Sequence, residues 1–215
     1  MTTESPSRRK FIKWMVSSFA LAPAVSAVKV PGMSAWSILP VEQQSKELFS
    51  SQVPRDARLV ASAKNAGVIA AVFETELPGL GLPTVSRWLC IAPERASGTY
   101  SIQVTNQALA TSSSFHPVDL ALDILDDGSV EVSEQHLRAH DRHVWKELDG
   151  KWCLTKKTFA GNVAHRFVTE EYDLAKEQFV ATEGLIESDE PYARRCASAD
   201  VLVELGTYCK GQIIT

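Results

Sequence analysis

The spacing of apolar and polar positions changes character near Gly67. Over Val41–Ser50 the apolar Val41, Leu48 and Phe49 are set among Glu42, Gln43, Gln44, Lys46 and Glu47, which predicts a short helix closed before Pro54. Arg58–Lys64 is expected to add another helical turn or two. Beyond Gly67 the chain breaks into short runs of Val, Ile, Phe, Trp, Tyr and Thr bounded by turn residues, the signature of strands. The runs lie at Val68–Leu77, Arg87–Ala92, Thr99–Thr105, Val118–Leu125, Ser129–Ser133, His143–Leu148, Lys151–Thr158, His165–Tyr172, Gln178–Glu183 and Asp200–Leu205.

Two connections carry a sharp turn signal. Asp126-Asp127-Gly128 and Asp149-Gly150 each separate alternating runs, and aspartate followed by glycine suits the positive φ that tight hairpins demand. Tyr172–Lys176 reads as a third, longer hairpin loop. Hairpin spacing without alternating long helices predicts a mainly β fold: an antiparallel sandwich or barrel with a short helical N-terminal element.

The first residues follow a different logic. Ser7-Arg8-Arg9-Lys10-Phe11-Ile12-Lys13 precedes a short apolar stretch, Trp14–Leu21, and then the small residues Ala22-Pro23-Ala24-Val25-Ser26-Ala27. This segment resembles a twin-arginine export signal, with Ile12 where the pattern has leucine, and Arg8 and Arg9 are its defining pair. The resemblance implies recognition by the twin-arginine machinery, export of an already folded chain, and a periplasmic or secreted bacterial protein. Both Ala22-x-Ala24 and Val25-x-Ala27 fit a cleavage site, and the cut after Ala27 is favoured. The expected organisation is a signal over 1–27, a linker over 28–40 and a single mainly β domain over 41–215. The apolar stretch is too short for a bilayer, which needs about 20 residues, so no permanent membrane span is expected.

Loss of the signal removes four basic residues and Glu4, taking the formal net charge from −4 to −7. An acidic domain with scattered cations has no electrostatic footprint for phosphate backbones, so nucleic acid is a poor partner. Four cysteines fit an oxidising compartment. Cys196 and Cys209 are the nearest pair in sequence, and a disulfide there would close a short loop worth about 3 kcal/mol. Cys90 and Cys153 sit in apolar runs and read equally as buried small hydrophobes.

Motifs that announce an enzyme are mostly absent from the sequence: there is no Gly-x-Ser-x-Gly elbow, His-Glu-x-x-His helix or phosphate-binding loop. Gly79-Leu80-Gly81 begins like a dinucleotide turn, but Pro83 breaks the helix that must follow. Trp88, Trp145 and Trp152 fall in strands and are expected to fill a core. The acidic Glu183, Glu187, Asp189 and Glu190 match no calcium loop. His116 reads as a turn residue and His165 as a strand-edge residue.

The one histidine cluster is His136, His140 and His143, flanked by Glu134 and Asp141. On a helix these rings would share a face and could hold zinc, copper or nickel, with Asp141 orienting one of them. On a strand they would not converge, and because His143 leads into the Asp149-Gly150 hairpin the strand is the expectation. The sequence therefore favours a non-catalytic extracytoplasmic binding or accessory protein, holding a small molecule or a protein partner, and singles out no cofactor for it. A metal-dependent enzyme or metal carrier built on the three histidines is the alternative, with zinc or copper as its metal.

Overall fold

The structure is a computed structural model that describes residues 26–29, 36, 38–77, 84–95, 98–105, 108–109, 112–113, 118–163, 166–173, 176, 178–185, 193–198 and 203–204. The elements are β1 (Ser26–Lys29), α1 (Val41–Phe49), β2 (Arg58–Asn65), β3 (Val68–Glu76), β4 (Thr84–Arg95), β5 (Thr99–Thr105), β6 (Ser112–Ser113), β7 (Asp119–Ile124), β8 (Val130–Gln135), β9 (Ala139–Leu148), β10 (Lys151–Val163), β11 (Arg166–Asp173), β12 (Gln178–Leu185), β13 (Ala193–Ser198) and β14 (Val203–Glu204). Two antiparallel sheets form. One has the order β1-β5-β4-β3-β2 with β6 on β4, and the other β13-β12-β11-β10-β9-β8-β7 with β14 on β10. Neither closes on itself, so of the two expected architectures the sandwich is the one adopted.

Strand periodicity sets the layers. The first sheet is apolar on both faces because β3 and β4 carry unbroken apolar runs, as expected of strands covered on both sides. Val68, Ala70, Val72, Leu89 and Ile91 face the second sheet and meet Val130, Val132, Trp145, Trp152 and Leu154. Ile69, Ala71, Phe73, Cys90 and Ala92 face away from it and are covered by Trp36, Leu48 and Phe49. Nine residues are too few for α1 to persist alone in water, so its stability comes from burying Leu48 and Phe49, about 1.5–3 kcal/mol each. The amide of Gln44 ties it down further, donating to the Leu39 carbonyl at 2.6 Å and accepting from Lys64 Nζ at 2.9 Å.

Three features depart from the expectations. Arg58–Asn65 is a strand and not a helical extension: Ala61 and Ala63 pack on the inter-sheet core and Leu59 on the helix side, a division produced by a bulge between Leu59 and Ala61. The hairpin it opens turns at Ala66-Gly67, with φ of 48° and 72°, so an alanine holds a left-handed position that no glycine signal marks. Within the expected linker, Val28 and Lys29 belong to β1, and Trp36 is buried with its ring 5.3 Å from that of Tyr100. A cut after Ala27 would fall inside β1, whereas one after Ala24 would leave the strand whole.

The two hairpin turns differ in detail. Asp149 and Gly150 both have positive φ, 52° and 79°, but at Asp126-Asp127-Gly128 only Gly128 does, because that loop is longer and is closed by the Gly128 amide donating to Leu125. Trp145 and Trp152 lie in the inter-sheet core, while Trp88 packs on the helix side and donates to Thr75 Oγ1 at 3.3 Å. Cys90 and Cys153 are buried free thiols, and burial pushes the Cys90 thiol well above its ordinary range, which keeps it unreactive. The side chains of Cys196 and Cys209 lie outside the described residues, as do His116, His165, Glu187, Asp189 and Glu190.

Candidate functional site

At one end of the sandwich the interior turns from apolar to charged. Along β8 the inward positions run Val130, Val132, Glu134, and along β9 they run Trp145, His143, Asp141; the register sets Val132 beside His143 and Glu134 beside Asp141. Glu134 and His143 are 0% exposed. His136 stands two residues beyond Glu134, in the turn that joins the strands, and its Nε2 lies 3.1 Å from Asp141 Oδ2. The turn is held by the His136 amide donating to the Ala139 carbonyl at 2.8 Å and by Gln135 Nε2 donating to the His136 carbonyl at 2.9 Å.

A row of alternating charge reaches this cluster from the opposite sheet. Arg58, Glu74 and Arg87 are direct cross-strand neighbours on β2, β3 and β4. Glu74 accepts from Arg58 Nη2 and from Arg87 Nε, both at 3.0 Å. Arg87, 5% exposed, then crosses the sandwich: Nη2 donates to the Val118 carbonyl at 2.5 Å and Nη1 stands 3.9 Å from Glu134 Oε1. A buried ion row is costly to desolvate, and once formed it does not tolerate loss of one member, which would leave the others buried and uncompensated. Here it replaces apolar contact as the link between the sheets.

Above the cluster opens a cleft of about 470 Å³. Leu137, Ala139 and Phe159 supply apolar lining, and His136, Arg138, Asp141 and Asn162 the polar groups. One wall depends on the close approach of β9 and β10. A Cβ on Gly161 would stand 2.7 Å from Ala139 Cβ and 2.9 Å from the Arg138 carbonyl oxygen, so only glycine admits the strand there. Next to it the Asn162 amide donates to the Arg138 carbonyl at 2.9 Å and braces the turn.

The helix that would gather His136, His140 and His143 does not form. His140 and His143 are three residues apart on β9 and so face opposite sides of the sheet, with His140 paired between Gln135 and Ala160. His136 alone of the three lies in the cleft. The set the fold brings together is Glu134, His136 and Asp141, each offering one ligand atom with all of these within 4.8 Å of one another. Period-two reading of Ser129–Leu148 as a hairpin, turning at Leu137-Arg138, would have placed both carboxylates and His136 on one face. Arg87 opens a run read as an ordinary strand and carried no local signal. Of the acidic tract, Glu183 lies on β12 and pairs with Arg166.

Among the described residues no helix is long and apolar enough to cross a membrane. No protein-family model, curated protein or solved structure matches the chain.

Proposed function

We propose that this is a non-catalytic binding protein, exported in the folded state by the twin-arginine route, whose site is the cleft at the β8–β9 turn. The observation that carries the proposal is the makeup of that cleft: an apolar wall of Leu137, Ala139 and Phe159 with His136 and Asp141 at its inner end. An apolar surface with a few convergent polar groups suits a small molecule that has a hydrophobic body and a polar head. A sandwich end presents such a pocket on a rigid frame, and the ion row beneath it keeps the polar groups in place. Prior folding, which the export route requires, is met by a domain whose described cysteines Cys90 and Cys153 are free thiols within the core.

The cleft is tested by titration with the neutral fluorescent probe N-phenyl-1-naphthylamine. Saturable enhancement is expected, weakened at least about tenfold by Leu137→Asp, which sets a charge on the apolar wall at a residue 80% exposed. Absence of saturation, or indifference to Leu137→Asp, would remove the cleft from consideration. The export half is tested separately: with Arg8 and Arg9 both changed to Lys, the precursor should stay in the cytoplasm, and its appearance outside would contradict the route.

A further inference from the structure

We infer that Glu134, His136 and Asp141 bind one divalent cation, zinc or manganese, at the inner end of the cleft, an assignment that rests on the cleft being the binding site. The donors come from one hairpin. Glu134 and Asp141 are direct cross-strand neighbours and His136 continues the same face, so the backbone register, and not a flexible loop, sets their separation. Two ligands of one ion with bonds near 2.1 Å stand at most about 4.2 Å apart, so donor atoms within 4.8 Å need only a small inward adjustment.

Charge points the same way. The interior of this end holds the carboxylates of Glu74, Glu134 and Asp141, with Arg87 the one buried arginine among the described residues. Arg87 is engaged by Glu74 and by the Val118 carbonyl, and its Nη1, which makes no hydrogen bond, is beyond hydrogen-bonding distance of Glu134 at 3.9 Å. His143 and Lys157 share the inward face one row deeper, and the Lys157 ammonium lies 5.8 Å from the Tyr172 ring centre, on the β11 side. Glu134 and Asp141 are adjacent buried carboxylates on one face, and a divalent ion held between them would be attracted where its charge is least screened.

The donor chemistry selects the metal. Two carboxylates and one imidazole suit manganese or zinc, whereas calcium prefers six to eight oxygen ligands. Three protein ligands leave coordination positions directed into the cleft, where the polar head of a bound molecule would complete the shell.

The test uses the full chain, stripped with EDTA and titrated calorimetrically with zinc and with manganese. One equivalent of at least one of the two ions should bind and raise Tm. His136→Gln and Asp141→Asn, checked for an unchanged circular dichroism spectrum, should each weaken that binding at least about tenfold. His140→Gln, on the opposite face of β9, should leave it unchanged. Failure of both ions to bind, full affinity in His136→Gln, or loss of affinity in His140→Gln would each overturn the assignment. The naphthylamine titration on the same stripped protein separates the two proposals: probe binding without metal binding removes the metal and keeps the cleft, and loss of both removes both.

Discussion

Both ends of the sandwich are closed by antiparallel hairpins, yet the two ends join their sheets by different forces. At the end that carries Ala66-Gly67, Gly128 and Asp149-Gly150, the turns are tight and the interior beneath them is apolar, with Val68, Val130 and Trp152 in the core. The sheets are clasped there from outside: Asn65 Nδ2 donates to the Ile124 carbonyl at 3.0 Å and Arg95 pairs with Glu147, while Lys146 pairs with Asp127 within the second sheet. At the other end the charges are inside and the apolar residues are out, with Leu137 80% exposed beside a buried Glu134. Burying charge where the sandwich is open costs stability that an apolar core would not, and what that end gains is a cleft with fixed polar groups.

The largest expected effect lies at the charged end. Arg87→Met would leave Glu74 and Glu134 buried without their shared guanidinium and should destabilise the domain by about 3–5 kcal/mol in urea unfolding. A cost under about 1 kcal/mol would mean that the ion row does not join the sheets. Next comes Gly161→Ala, where the added methyl meets backbone; a loss of about 1–3 kcal/mol is expected, together with altered naphthylamine binding as β9 is pushed off β10. Unchanged probe affinity would show that the cleft wall does not depend on that approach.

At the tight end the effects are smaller. Gly150→Val meets no neighbouring atom, so its cost of about 1 kcal/mol or more arises from the backbone alone, at φ 79°. An unchanged melting temperature would argue against that cause. The smallest effect concerns Asp127, whose carboxyl is held at about 2, below its ordinary 3.8, by hydrogen bonds from Lys146 first and Ser129 second. A depressed acid stabilises the folded state above the unfolded value and loses that contribution as pH falls, here between about pH 4 and pH 2. Because the Asp127 side chain is 53% exposed, the contribution is under about 1 kcal/mol. Lys146→Ala should therefore lower stability slightly at pH 7, with a difference that shrinks as pH falls from about 4 through about 2, and a difference that does not shrink over that range would assign the effect to something other than the pair.

The tight end was largely legible in sequence, and the charged end was not. Aspartate-glycine turns and alternating runs are local signals, and β3, β5, α1 and the Asp149-Gly150 hairpin lie within a residue or two of where those signals put them. Arg58–Asn65 was misread because its mixture of Arg, Ala, Ser and Lys suits a helix as well as a strand, and pairing with β3 decides between them. The histidine cluster was visible as composition, but which of its members share a face depends on whether the segment is helical or folds back at Leu137-Arg138.

By itself, then, the sequence determined the class of fold, the positions of its sharpest turns, the absence of familiar catalytic motifs and the resemblance of its first residues to an export signal, because each of these is written in residues near one another in the chain. Only the tertiary structure decided that Arg87 meets Glu134 across the sandwich, that Trp36 closes the core under the helix, and that Glu134 and Asp141, and not His140 and His143, accompany His136. Those choices rest on strand register and on the stacking of two sheets, which bring together residues many positions apart, and a one-residue change of register would reverse every one of the faces involved.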